Sequence, residues 1–140
     1  MIRGFDHLAI TVADIEQTIA FYRGVLGAEI LYEEAWRQGK LPIVSIRLGA
    51  NVINVHWEQK RLTPRAGRAT PGSEDLCLRW DAPLEDAIAL LESHGVPIEE
   101  GPVPRVAADG EPARSVYFRD PDQNLLELLS TVPARDGAGG

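Results

Sequence analysis

Two imidazoles and one carboxylate hold most of the chemical promise of this 140-residue chain: His7, His56 and Glu127. The glutamate lies within Leu125-Leu126-Glu127-Leu128-Leu129. An unpaired carboxylate there would be costly to desolvate, so a metal ion, an arginine or a substrate must compensate it. Two histidines and one carboxylate suit Mn, Fe, Co, Ni or Zn and leave coordination positions open for a substrate. The spacing carries no local signature such as HExxH. The competing reading is a pair of hydrogen-bonded strand histidines, with Glu127 neutralised by Arg47 or Arg119.

These residues need strands to position them. From Phe5 to Val12 the chain alternates, with Leu8, Ile10 and Val12 on one face and Phe5, His7, Ala9 and Thr11 on the other. Asp14 suits a helix N-cap, with Gln17 three residues on. Ile15, Ile19, Tyr22 and Leu26 then recur at helical spacing before Gly27, which predicts a helix over about 15–26. Strands are expected over Glu29 to Glu34, Leu41 to Leu48 and Val52 to Trp57, the last two joined by a Gly49-Ala50-Asn51 turn. Residues 58–73 contain Pro64, Gly67, Pro71 and Gly72 without periodicity and form a connector.

After the connector the same order begins again. Asp75 to Trp80 alternates, Asp81 is expected to cap a helix carrying Leu84, Ile88 and Leu91, and Gly95 closes it. Strands follow at about 97–100, 114–119 and 125–130, and 133–140 reads as a frayed tail. His7 against Asp75 and Gly27 against Gly95 both give an offset of about 68 residues. The fold class is therefore α+β: two strand–helix–three-strand modules, at about 4–57 and 74–132, within one domain spanning 1–132. Helices on the outer face of a mostly antiparallel sheet leave the other face as a cup.

If the aliphatic set of each strand packs under its helix, the alternate set faces the cup. That set is His7, Ser45, Arg47, Asn54, His56, Asp75, Cys77, Tyr117, Arg119 and Glu127. Arg47 suits a substrate carboxylate or phosphate as well as an internal salt bridge. Ser45, Asn54, Tyr117 and Arg119 are further candidates for substrate contact. Cys77 has neither a histidine nearby in sequence nor a helix N-terminus to activate its thiol. His94 fits the dipole of a helix's last turn, and Trp36, Trp57 and Trp80 read first as packing residues.

Bulk properties narrow the setting. With 14 basic and 21 acidic residues the net charge is −7, which argues against nucleic acid as a partner. The local run Lys60, Arg61, Arg65 and Arg68 reads as a solvated linker. No apolar run is long enough to span a membrane, and Arg3 and Asp6 interrupt any secretory apolar region. A single cysteine makes a cytoplasmic location the default.

The segments FDHLAITVADIEQTIAFYRGVLGAEI, INVH and VYFRDPDQNLLEL resemble the vicinal oxygen chelate superfamily, which includes glyoxalase I, extradiol dioxygenases, and fosfomycin and bleomycin resistance proteins. The resemblance runs over nearly all of residues 4–131. INVH, TPGSEDLCL and GVPIEEGPV are similar to the glyoxalase-domain subgroup related to lactoylglutathione lyases. It implies paired βαβββ modules, one divalent ion, a small-molecule substrate and a homodimer; apolar surface expected around Trp36 and the 58–73 connector is the candidate contact. It matches His7 to the first-strand ligand and Glu127 to the last-strand ligand. His56 takes the fourth-strand place, often Glu, while Asp75 stands where the second module commonly begins with His. Gln123 replaces the Gly of a DPDGN turn.

The resemblance implies a metal-dependent glyoxalase-type enzyme, with His7, His56 and Glu127 on the ion. Asp75 or Glu127 would then be the catalytic carboxylate that moves a proton between adjacent carbons of a 2-oxo substrate. The same ligand set also matches iron-dependent ring-cleaving oxygenation. A third reading is a bleomycin-resistance-like cup that binds a small molecule without chemistry.

Overall fold

In a computed structural model, which describes residues 1–136, Asp14 caps the first helix as its side chain suits it to do. Its Oδ1 accepts the Gln17 amide at 3.2 Å, and its carbonyl accepts that of Thr18. Helix α1 (Ile15–Gly24) buries Ile15, Thr18, Ile19 and Tyr22. It lies against a sheet of β1 (Leu8–Val12), β2 (Glu29–Leu31), β3 (Val44–Leu48) and β4 (Asn51–Trp57). The order is β1-β4-β3-β2, with β1 and β4 parallel and the other pairs antiparallel. Ile10, Val12, Val44, Ile46, Ile53 and Val55 fill the core beneath α1, each at most 4% exposed. These elements belong to one compact unit, Met1–Glu74, which also includes Pro121–Gln123.

The second unit runs over Asp75–Asp120 and resumes at Asn124. Its strands are β5 (Asp75–Arg79), β6 (Glu100–Val106), β7 (Pro112–Arg119) and β8 (Leu125–Ser130), in the order β5-β8-β7-β6, and β5 is parallel to β8. That order repeats the first sheet position for position. Helix α3 (Leu84–Ser93) buries Leu84, Ala87 and Leu91 and packs on β7 and β8, where Val116, Phe118, Leu126 and Leu128 are buried. Gly95 ends it at φ 66, and Val96 and Gly95 donate to the Leu91 and Glu92 carbonyls. Gly27 has φ 65 at the matching place after α1.

Several expectations shift. His7 precedes β1 instead of lying within it, and α1 ends at Gly24. The strand expected over 29–34 stops at Leu31, because Tyr32 takes φ 65 and opens a short helix, α2 (Glu33–Arg37). Nothing in α2 is buried; Arg37 bridges Glu33 and Glu16 instead. Pro42, which has no amide to give a ladder, keeps the expected 41–48 strand from starting before Val44. The second helix is capped by Pro83 with no side-chain bond, so Asp81 is not its cap.

The strand expected at 97–100 lies at Glu100–Val106, through Pro102 and Pro104. It is the edge of its sheet, where missing amides are tolerated. In the expected tail, Arg135 bonds Asp86 at 2.6 and 2.7 Å, and residues 137–140 lie outside the described chain.

Candidate functional site

In the first unit, His7 sits at the mouth of β1, where the backbone bends. Its Nδ1 lies 2.7 Å from Asp6 Oδ1. A proton on Nδ1 donates to that carboxylate and leaves Nε2 with a free lone pair. His56 lies on β4 opposite Thr11. Burial, and then the charge of His7, push its imidazole below the ordinary 6.5. A neutral imidazole is the form that binds a metal.

Farther along β4, Asn54 Oδ1 accepts the Ser45 hydroxyl at 2.7 Å, and Ser45 is 2% exposed. Arg47 is exposed and reaches Glu29 Oε2 at 3.5 Å. Beyond β4, the connector folds back so that His56, Trp57, Lys60, Arg61, Arg65 and Arg68 line one cavity of about 350 Å³.

In the second unit, Glu127 occupies the middle of a row across three strands, with Cys77 of β5 on one side and Tyr117 of β7 on the other. Neither expected arginine neutralises it. Arg119 holds Glu99 at 2.9 Å, and Arg47 holds Glu29. Tyr117 accepts a bond from Arg105 Nε at 2.8 Å, and that guanidinium also lies over its ring.

Desolvation, followed by the carboxylates of Glu127 and Asp75, pushes the Cys77 thiol up to about 11, so it stays protonated at neutral pH and is a poor nucleophile. Asp75 opens β5, exposed, on the face shared by Cys77. No hydrogen bond or ion pair holds its carboxylate among the described residues. His94 caps α3, its Nδ1 3.0 Å from the Leu90 carbonyl. Trp57 and Trp80 each bond a backbone carbonyl through Nε1.

Strand register gives the internal counterparts. Leu8 pairs with Ile53 as Leu76 pairs with Leu126, so Asn54 is the counterpart of Glu127, and His7 that of Asp75. His56 is the next residue along β4 on Asn54's side of the sheet. Among the described residues, no three His, Cys, Asp or Glu side chains are gathered closely enough to hold a metal ion. His7 and His56 belong to one unit, Glu127 and Asp75 to the other.

The sequence profile of the Glyoxalase/Bleomycin resistance protein/Dioxygenase superfamily matches residues 4–128. This chain belongs to that superfamily. Its curated relatives include virulence protein STM3117 of Salmonella typhimurium, 41% identical over 91% of this chain and 83% of that protein. The crystal structure of STM3117 superposes with a TM-score of 0.83, covering 94% of this chain and 99% of that one at 38% identity. The metallothiol transferase FosB of Staphylococcus haemolyticus is 31% identical over 91% of this chain and 84% of its own.

The repeated sheet order is the superfamily's α+β fold, as the motifs led one to expect. Two features of this member were not read from its motifs: the carboxylate of Asp6 on His7, and the cavity over the connector. Asp6 had a signal, an acid adjacent to a candidate ligand. The cavity had one too, in the density of cations between Lys60 and Arg68. No helix among the described residues is long and apolar enough to cross a membrane.

Proposed function

We propose that this superfamily member is a divalent-metal-dependent enzyme of glyoxalase type. In this reading His7, His56 and Glu127 hold one ion, Zn, Ni, Co, Mn or Fe, and the substrate is a small molecule with two neighbouring oxygens. The observation that carries it is the state of the two imidazoles. Asp6 accepts from His7 Nδ1, which in the neutral ring leaves Nε2 as the donor atom, and burial lowers the pKa of His56. A carboxylate behind a histidine is the usual outer support of a metal ligand. Glu127 adds an oxygen donor that forms no salt bridge among the described residues, with the Arg105 charge nearby and the Cys77 thiol beside it. By residue type, two imidazoles and a carboxylate suit a divalent ion. The name of the related metallothiol transferase is in keeping with the reading.

When bound, the ion supplies Lewis acidity to both substrate oxygens. The protein's own groups do the rest. Asp75, exposed and unbonded, accepts a proton from one substrate carbon and returns it to the next. Tyr117, Ser45 and Asn54 offer hydroxyl and amide groups for orientation, and Arg47 and Arg119 offer guanidinium groups at the periphery. We also read the protein as a cytoplasmic homodimer. The exposed Tyr32, which leads into the helix carrying Trp36 and is 61% exposed, supports the dimer.

The test is metal content of protein purified without chelator, beside His7→Ala and Glu127→Gln. About one divalent ion per chain is expected, lost in both variants together with turnover of a hemithioacetal. Full activity in Glu127→Gln would sink the reading. Oxygen uptake with a catechol under ferrous iron would redirect it to ring cleavage. Sedimentation of the same preparation at twice the chain mass checks the dimer, and a single-chain mass refutes it.

A further inference from the structure

Seven of the nine arginines outside the connector each hold a carboxylate: Arg23, Arg37, Arg47, Arg79, Arg114, Arg119 and Arg135. The connector is different. Lys60, Arg61, Arg65 and Arg68 hold no carboxylate among the described residues, although the chain carries 21 acids against 14 bases. All four line the same cavity of about 350 Å³. Glu58 alone contributes an acid to its wall, and Thr11 a hydroxyl. Four like charges drawn around one hollow repel each other, and the missing counter-charge is what an anion brings. The volume lies in the range of small-molecule sites, and it is concave, unlike the flat stripe a polyanion would need.

We propose that the connector pocket binds the oxyanion group of a small-molecule substrate, a phosphate or carboxylate. Guanidinium groups fork onto either. His56 lines the same pocket beside Trp57, so the pocket adjoins one of the proposed ligand residues. The assignment deepens the enzymatic reading, on which it rests for the role of His56; the pocket itself stands on the cavity and its charges. It narrows the substrate class to molecules that carry an anionic group apart from the neighbouring oxygens that react.

Trp57 provides the reporter. Sodium phosphate and sodium malonate are titrated separately into the full chain, metal-stripped and metal-loaded, following the indole N–H signal of Trp57 by NMR. A saturable shift is expected in both forms. Arg65→Gln and Arg68→Gln should each weaken binding about tenfold, the loss of one charge-assisted hydrogen bond, while leaving metal content and melting temperature unchanged. The stronger of the two anions names the group. No saturable shift with either, equal affinity in the variants, or binding seen only with metal present would each overturn the proposal. The metal-stripped titration keeps this result separate from any failure of the metal site.

Discussion

A carboxylate one residue ahead of a histidine is an unusual partner for it, because neighbours on a strand point to opposite faces. Asp6 reaches His7 because both precede β1, where the chain bends before pairing begins. Alternation made the facing of Ser45, Asn54, Tyr117 and Glu127 legible, because each of these sits inside a regular strand. The Asp6 contact was not legible, since it depends on a bend that no periodicity marks. The bond has a measurable weight. Asp6→Asn should weaken metal affinity by about 10–100-fold, the usual cost of removing an outer partner of a ligating histidine. Competition with a chromophoric chelator reads it, and an unchanged constant would deny Asp6 that role.

Gln123 is a second residue-scale departure. It stands where the motif usually has Gly, and it takes φ 70, so the turn keeps its left-handed residue. A non-glycine side chain thus occupies a left-handed position, at the steric cost glycine would avoid.

At the scale of elements, the sequence was most legible where an apolar stripe carried the signal. Helices α1 and α3 each bury one stripe against their sheets, so period alone revealed them. Helix α2 buries nothing and is held by charge, with Arg37 between Glu16 and Glu33, so no apolar pattern announces it. Strand β6 was misplaced because its prolines count against a strand unless its edge position is known.

Charge also fastens α3. Glu85 takes both terminal nitrogens of Arg114 on β7, at 2.7 and 3.1 Å, and the Arg114 guanidinium holds its carboxyl below the ordinary 4.5. A carboxyl lowered in the folded state stabilises the protein above its unfolded pKa and loses that contribution as pH falls through the folded value. The melting temperature should therefore fall less steeply below about pH 4.5 in Glu85→Gln than in the parent. Parallel curves would mean the clamp adds nothing to stability.

For the molecule as a whole, duplication was readable from the offset between Gly27 and Gly95, and the two sheet orders agree with it. The exchange of one segment was not readable. Pro121–Gln123 lie between β7 and β8 yet belong to the first unit, where Asp122 Oδ1 accepts the Ala13 amide at 3.0 Å. Gly72 meets the same segment. A Cβ there would stand 2.6 Å from the Asp122 carbonyl oxygen, at φ 80. A contact across 109 residues leaves no local pattern to read. Asp122→Ala removes the exposed acceptor just ahead of α1 and should cost about 0.5–1.5 kcal/mol, read by denaturant unfolding. No loss would mean the segment only rests there.

That borrowed turn bears on how such a protein can be taken apart. The repeat seen in the sequence marks what was once copied, and its border falls in the connector. The first compact unit is longer, because it takes in three residues from near the far end of the second copy. A cut at the repeat border would leave the first unit without Pro121–Gln123, and so without the carboxylate that accepts the amide just ahead of its helix.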